Sequence, residues 1–325
     1  MGSDMHATAD GGERRTPGSL ATLRRAGVAL GLLLTCGMAA LLLYDREIRV
    51  DAAYRQSLAV AAGADRVLYY GLRNVQRALN GVVADMAAWS AAADEAEQAR
   101  LLAQSLDGML ARQPELPSVE VVDGHGRPLS GGRGDPGLPA WLEAAGPDAR
   151  ANLVVGVLQV DAEGAGWLPL ATPFGPDRWL LARLRTEALD AMIRDLDVGR
   201  DGIVTVLDRR GVVLARLPRD GRGGVIGRRT SLPDATEGTR GTSHGLRASQ
   251  IDGVLRLSGS SSGSGYDLVV VAGLGLHETL VPWYRNATIA AALVLLYWLG
   301  LGYLLRRASS RVSRIRSPPD TRRSR

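Results

Sequence analysis

The chain has 325 residues, 46% of them apolar, with a formal net charge of +5, room for one or two domains beside membrane segments. All 39 basic residues are arginine and the charge sits at the ends: residues 1–25 carry a net +1, residues 306–325 a net +7, and everything between a net −3. That distribution excludes a basic central domain reading phosphates, so no nucleic acid is implied, and the single cysteine, Cys36, excludes an intrachain disulfide.

Residues 1–25 are polar and aperiodic, which predicts a disordered tail. Arg24 and Arg25 then precede Ala26–Tyr44, an uncharged run of 19 residues that includes Cys36. The run exceeds the apolar core of about 7–15 residues found in a signal peptide, and no A-x-A site follows. An uncleaved membrane helix over 26–44, with Cys36 buried in lipid, is the expectation. A second uncharged run of 19 residues, Ala287–Leu305, is close to the roughly 20 needed to cross a bilayer core. Eight arginines follow it between Arg306 and Arg325, the mark of a stop-transfer helix over 287–305 with a basic cytoplasmic tail over 306–325. Both termini are then cytoplasmic, and the 242 residues from Asp45 to Asn286 lie outside a bacterial inner membrane. The lack of lysine beside heavy use of alanine and glycine fits a GC-rich bacterial genome.

Residues 45–117 read as a long helical stalk. Leu68, Leu72, Val75, Leu79, Val82, Met86 and Trp89 step alternately by four and three, and the same register runs back through Ala61, Leu58 and Tyr54 with Asp65 as its one break. Such spacing predicts a helix packed along one seam. Two readings stay open: a helix lying on its own domain's sheet, and a stalk that forms a homodimer. A further helix is expected over Ala91–Ala111, ended by Pro114 and Pro117.

A repeat follows. Val119, Asp123, Gly126 and Leu129 match Val204, Asp208, Gly211 and Leu214, each 85 residues on. Each copy predicts a strand, an Asp-x-x-Gly turn and a second strand, a β-hairpin. Further strands are expected at Leu153–Val160, Trp167–Thr172 and Trp179–Leu184 in the first copy. In the second they fall at Gly241–Gly245, Val254–Ser258 and Leu268–Ala272. The chain therefore divides into a membrane-distal module over 118–185, a linking helix over 186–198 and a membrane-proximal module over 199–286. The fold class is α/β (α+β), with two antiparallel-sheet modules behind a long helix.

This arrangement resembles the double-Cache (tandem PAS-like) extracytoplasmic sensor domains of bacterial diguanylate cyclases and sensor histidine kinases. The residues that carry the resemblance are Leu196-Asp-Val-Gly-Arg-Asp-Gly-Ile-Val-Thr-Val-Leu-Asp-Arg-Arg-Gly-Val-Val-Leu-Ala-Arg216. Tyr266-Asp-Leu-Val-Val-Val-Ala-Gly-Leu, running into Trp283-Tyr-Arg before the second apolar run, adds to it. The resemblance covers about residues 26–305 and implies a small-molecule ligand. Two departures stand beside it. After residue 305 there is no Gly-Gly-Asp/Glu-Glu-Phe signature and no kinase ATP box. The first module also lacks the Tyr…Arg-x-Trp-Tyr…Asp pattern of relatives that bind amino acids, since Trp141, Trp167, Arg178 and Trp179 are wrongly spaced for it.

Other candidate chemistry reads as structural. His277-Glu278-Thr279-Leu280 has the look of a phosphoacceptor box but falls on the side away from ATP. His6, His125 and His244 lack metal-ligand spacing. Asp123 and Asp208 are expected to bind their own turn backbones. Gly131-Gly132 and Gly221–Gly224 complete no phosphate loop, Ser258–Gly265 reads as a flexible hairpin connection, and Arg133-Gly134-Asp135 is read as a chance tripeptide. No nucleophile–base or metal constellation is visible, so neither an enzyme nor a cofactor is implied. Trp167 and Arg183 are the candidate ligand-binding residues, since aromatic and arginine side chains on the first module's sheet are apt to frame a small-molecule pocket.

The expectation is a two-pass inner-membrane sensor whose signal is read either by a separate output protein or by a domain lost from a truncated receptor. The alternative is a membrane-anchored adaptor that binds a periplasmic protein. A pocket with convergent polar groups favours the first, and a sheet face closed by packed side chains the second.

Overall fold

The computed structural model describes residues 18–89, 94–129, 132–146, 153–160, 165–218, 224–232, 241–263 and 265–315. Outside the described residues lie 1–17 of the polar tail, 316–325 of the basic tail, the first three residues of the helix expected from Ala91, and Gly131 and Gly221–Gly223 of the glycine turns. The chain forms two compact units, residues 49–279 and residues 1–48 with 280–325.

The larger unit is mixed helix and antiparallel sheet. Helix α1 (Gly18–Trp89) supplies it with residues 49–89, and α2 (Glu95–Arg112) follows, its N-terminus capped where Asp94 accepts the Glu97 N–H at 2.8 Å. Strands β1 (Ser118–Asp123), β2 (Val154–Val155), β3 (Gln159–Val160), β4 (Gly166–Pro173) and β5 (Arg178–Arg185) form the first sheet, with α3 (Leu138–Ala145) between β1 and β2. Its order is β1-β5-β4-β2, with β3 also on β4. Helix α4 (Thr186–Ile193) leads to the second sheet, built from β6 (Ile203–Asp208), β7 (Val213–Leu217), β8 (Thr242–Ala248), β9 (Leu255–Ser261) and β10 (Leu268–Gly275) in the order β7-β6-β10-β9-β8. Helix α5 (Leu276–Ile315) then begins.

The repeat is visible bond by bond. Asp123 Oδ1 accepts the His125 and Arg127 N–H groups at 2.8 and 2.9 Å, and Asp208 Oδ1 accepts those of Arg210 and Val212 at 2.8 Å each. Both are acids bound to their own turns, as expected of Asx chemistry. Gly126 and Gly211 each take a φ of +77°. Their carbonyls each accept at 2.8 Å, one from the Asp135 N–H and the other from the Thr230 N–H. A Cβ at either glycine would fall about 2 Å from a backbone oxygen, 1.8 and 2.2 Å respectively, so only glycine fits. The copies diverge past the turn. The second hairpin continues as β7, whereas among the described residues the first makes a single bridge from Val122 to Pro128, where proline has no N–H to give the ladder. The strand expected over Leu153–Val160 is likewise two short pieces, parted at Gly156, where a Cβ would stand 2.7 Å from the Trp141 ring.

The heptad stripe of α1 lies against the chain's own sheets. Leu68, Leu72, Val75, Leu79 and Val82 are buried in one core with Leu168, Leu170, Leu180, Leu184 of the first sheet and Val204, Val206, Leu257, Val270 of the second. A seam between two stalk helices is therefore not where these residues point. Gly259 on β9 lets the helix backbone in at Leu58, where a Cβ would stand 2.5 Å from its nitrogen. Asp65, the break in the stripe, is buried, and its Oδ2 accepts the Ser261 hydroxyl at 2.9 Å and the Gly263 N–H at 3.0 Å. Farther along, Tyr266 Oη donates to Gln76 at 2.8 Å and Thr172 Oγ1 to Asn80 at 3.2 Å. The first turn of α5 is fastened to the segment before β6: Glu278 accepts the Arg200 and Asp201 N–H groups at 3.1 and 2.9 Å.

In the smaller unit α1 and α5 pack as a pair. Gly27 and Gly31 face Leu301, Tyr297 and Trp298, Trp298 Nε1 donates to Thr35 at 3.2 Å, Tyr297 Oη to the Gly27 carbonyl at 2.8 Å, and Trp283 Nε1 to the Leu42 carbonyl at 2.7 Å. Both helices are long and apolar enough to cross a membrane, and only 6% of either apolar window is buried inside the protein. Helix α1 begins at Gly18 and α5 ends at Ile315, so residues 18–25, expected to be disordered, are helical, and residues 306–315 of the basic tail extend α5.

Leu72 carries the prediction. Leu72→Ala removes a fully buried side chain and should lower folding stability by about 2–5 kcal/mol, whereas Arg66→Ala on the exposed side of the same helix should stay within about 0.5 kcal/mol. Thermal or chemical denaturation of the two variants checks this.

Candidate functional site

The first sheet has two faces of different character. Side chains alternate across a strand, so Leu168, Leu170, Leu180 and Leu184 turn toward α1, and the other set turns away. On that outer face α3 closes one end: Leu138 and Trp141 pack on Val122, Ala171, Trp179 and Leu181. At the other end the face is open. There a cavity of about 350 Å3 is lined by Pro117, Ser118, Val119, Glu120, Gly132, Arg133, Trp167 and Arg183. That volume is in the range of small-molecule pockets, about 300–1,000 Å3.

Both sequence candidates line this cavity. Register explains the meeting: Arg183 on β5 pairs with Ser118 on β1 and with Pro169 on β4, while Trp167 lies two residues before Pro169, on the same face. Sequence reasoning missed two other members. Glu120 stands between Val119 and Val121 on β1 and projects to the outer face, 8% exposed. Arg133, taken for part of a chance tripeptide, stands exposed at the rim.

Arg183 is not free to receive a ligand's charge unaided. Its Nη2 lies 2.7 Å from Glu120 Oε1 and donates to the Gly134 carbonyl at 3.0 Å, and Nη1 donates to the Ser118 hydroxyl at 3.2 Å. Glu120 Oε2 accepts the Gly134 N–H at 3.2 Å. Its Oε1 has no aligned donor and is held by the charge of Arg183. Gly132, at φ +146°, covers the carboxylate so closely that a Cβ would fall 1.9 Å from Oε2. The loop is fixed from behind, where Asp135 accepts the Gly137 N–H at 2.8 Å and the Gln159 amide at 2.7 Å. The cavity thus has a hydrogen-bonded, charge-compensated floor, an indole wall and an exposed cation at its mouth.

A second polar cluster sits on the second sheet. Arg216 donates to Thr205 at 3.2 Å and to Asp252 at 2.6 Å, and Arg256 donates to Asp252 at 2.7 Å and to the Asp201 carbonyl at 2.6 Å. Thr205 occupies the position equivalent to Glu120, 85 residues on. Burial pushes the Asp252 carboxyl up, but the Arg256 hydrogen bond, the Val254 N–H, Ser249 and the Arg256 charge together hold it well below the usual range. No group of three or more His, Cys, Asp or Glu side chains suited to a metal occurs among the described residues.

Comparison with known proteins rests on structure alone: no protein-family profile and no curated protein matches the sequence. The extracellular domain of rpHK1S-Z16, assigned to the histidine kinases, superposes with a TM-score of 0.53 at 16% identity, over 72% of this chain and 97% of that one. This is a double-Cache fold. The extracellular domain of vpHK1S-Z8, assigned likewise, gives a TM-score of 0.50 at 13% identity, over 72% and 96% of the two chains. The sensory domain of the Campylobacter jejuni chemoreceptor Tlp3, solved with isoleucine bound, gives 0.49 at 10% identity, over 71% and 96%. At that level of similarity the Tlp3 ligand carries no argument about the double-Cache domain described here.

Two predictions follow from these clusters. Arg183→Met strands the buried Glu120 carboxylate and should cost about 3–5 kcal/mol, with the double variant Arg183→Met, Glu120→Met recovering most of the loss; denaturation of both variants decides it. Asp252 has a lowered folded-state pKa, so its stabilisation is full above the unfolded value near 4 and is lost as pH falls toward the folded value. Acid titration of Tm should show wild type losing stability below about pH 4, with Asp252→Asn less stable at neutral pH and flatter in acid.

Proposed function

We propose that this protein is a two-pass inner-membrane sensor whose double-Cache domain binds a small molecule outside the membrane and signals across it. The observation that carries the reading is the cavity on the outer face of the first sheet, with Trp167 and Arg183 as ligand-contacting residues. Its floor is fixed by hydrogen bonds before any ligand arrives, which lowers the ordering cost of binding. The arginines after residue 305 favour cytoplasmic termini, with membrane helices over 26–44 and 287–305 and modules over 118–185 and 199–286. A ligand acts on such a domain only through different affinity for two of its states. The Glu278 contact ties the start of α5 to the segment before β6 and offers a route for the change. A second copy would meet α1 on its exposed flank, where Val67 and Tyr70 lie, and a separate output protein would read the result.

The adaptor reading has one observation in its favour: α3 closes half of the outer face with Leu138 and Trp141. Thermal shift separates the two. With the full chain in detergent or nanodiscs, a metabolite at 100 times its Kd should stabilise the domain by about 2.7 kcal/mol, and Trp167→Ala should remove the shift. A broad metabolite panel that moves nothing, beside capture of a periplasmic protein, would overturn the sensor reading.

A further inference from the structure

We infer that the cavity selects a small organic carboxylate that bears no ammonium group. The inference rests on the reading of this cavity as the ligand site and adds the chemistry of the ligand. The lining residues carry two arginines, Arg133 and Arg183, against one carboxylate, Glu120, so the cavity has a net charge of +1. That carboxylate is not offered to a ligand: Oε1 is buried against Arg183, and Oε2 accepts the Gly134 N–H. The Gly134 carbonyl is itself held by Arg183. Asp135, two residues past Arg133, has both oxygens engaged by Gly137 and Gln159 and is not part of the lining. Among the described residues, an ammonium group entering here would meet the unpaired charge of Arg133 and find no open anion. Like charges a few ångströms apart in a partly desolvated site repel strongly.

An anion meets the opposite conditions. Arg133 is exposed at the mouth and has no ion pair among the described residues, so its guanidinium is available for a charge-assisted, bidentate bond to a carboxylate. Trp167 lines the same cavity and adds apolar surface, suited to a short aliphatic or aromatic body. The two features together describe a carboxylate head at Arg133 and an apolar tail on Trp167. The Arg183–Glu120 pair forms the neutral floor beneath.

Matched pairs that differ only by an α-ammonium test this on the full chain: propionate against alanine, and phenylacetate against phenylglycine, each titrated by thermal shift and calorimetry. The carboxylates should bind at least about tenfold tighter than their amino-acid partners, a difference of about 1.4 kcal/mol. Arg133→Gln should abolish that binding while leaving the Tm of the unliganded protein unchanged. Alanine or phenylglycine binding as tightly as its partner, with Trp167→Ala removing it, would overturn the inference and leave the sensor reading standing. The same holds if Arg133→Gln binds the carboxylates like wild type. If neither these probes nor a wider panel of sugars, amines and anions shifts the protein, the inference and the sensor reading fall together.

Discussion

Everything in the larger unit depends on the burial of one helical stripe. Leu68, Leu72, Val75, Leu79 and Val82 sit in a core shared with the inner faces of both sheets, and a fully buried aliphatic side chain contributes about 1.5–3 kcal/mol. Burial alone does not fix where a smooth stripe slides along a smooth sheet. The polar contacts do: Asp65 on Ser261 and Gly263, Gln76 on Tyr266, and Asn80 on Thr172 fit only one register. Each is costly to misplace, because a buried polar group without a partner loses its hydration with no return.

The same logic governs the open end of the first sheet. Glu120, buried on β1, would be destabilising by itself, and Arg183 on the neighbouring strand β5 makes it tolerable. Breaking such a pair costs more than never having had one, so its retention in a cavity wall points to shape and charge rather than to stability. The equivalent position in the second sheet, Thr205, meets an arginine as well, yet there Asp252 and the Asp201 carbonyl close the cluster on itself. The same hairpin plan thus carries an open polar cavity in one copy and a closed polar network in the other.

Much of the fold was legible because it is written in local patterns. The heptad step marked α1, and the Asp-x-x-Gly repeat marked two equivalent turns whose hydrogen bonds match nearly atom for atom. What the stripe packs against was not legible, since a seam against sheets and a seam against a second helix use the same spacing. Asp65 looked like a flaw in the pattern because its partners lie almost 200 residues away. Trp167 and Arg183 were found from residue type and sheet position, and they do line one cavity. Glu120 and Arg133 were not. A glutamate between two valines in mid-strand was a signal available to be read, but Arg133 sits in a loop whose course depends on Gly132, Gly134 and the buried Asp135. No period in the sequence encodes that.

Strand order has a consequence for how the chain is made. In each sheet the last strand to be synthesised is an interior one: β5 lies between β1 and β4, and β10 between β6 and β9. Neither sheet can close from its first strands alone, and β6 with β7 waits as an isolated hairpin until residue 275 has emerged. The stretch of α1 near Leu58 and Asp65 lacks its contacts with Gly259, Ser261 and Gly263 until those residues have emerged, about 200 residues after it. A chain leaving the ribosome at about 5–20 residues per second therefore holds apolar helix surface and open strand edges bare for roughly 10–40 s. Its vulnerability to aggregation and proteolysis is set by that interval of synthesis, before the finished domain's stability has any bearing.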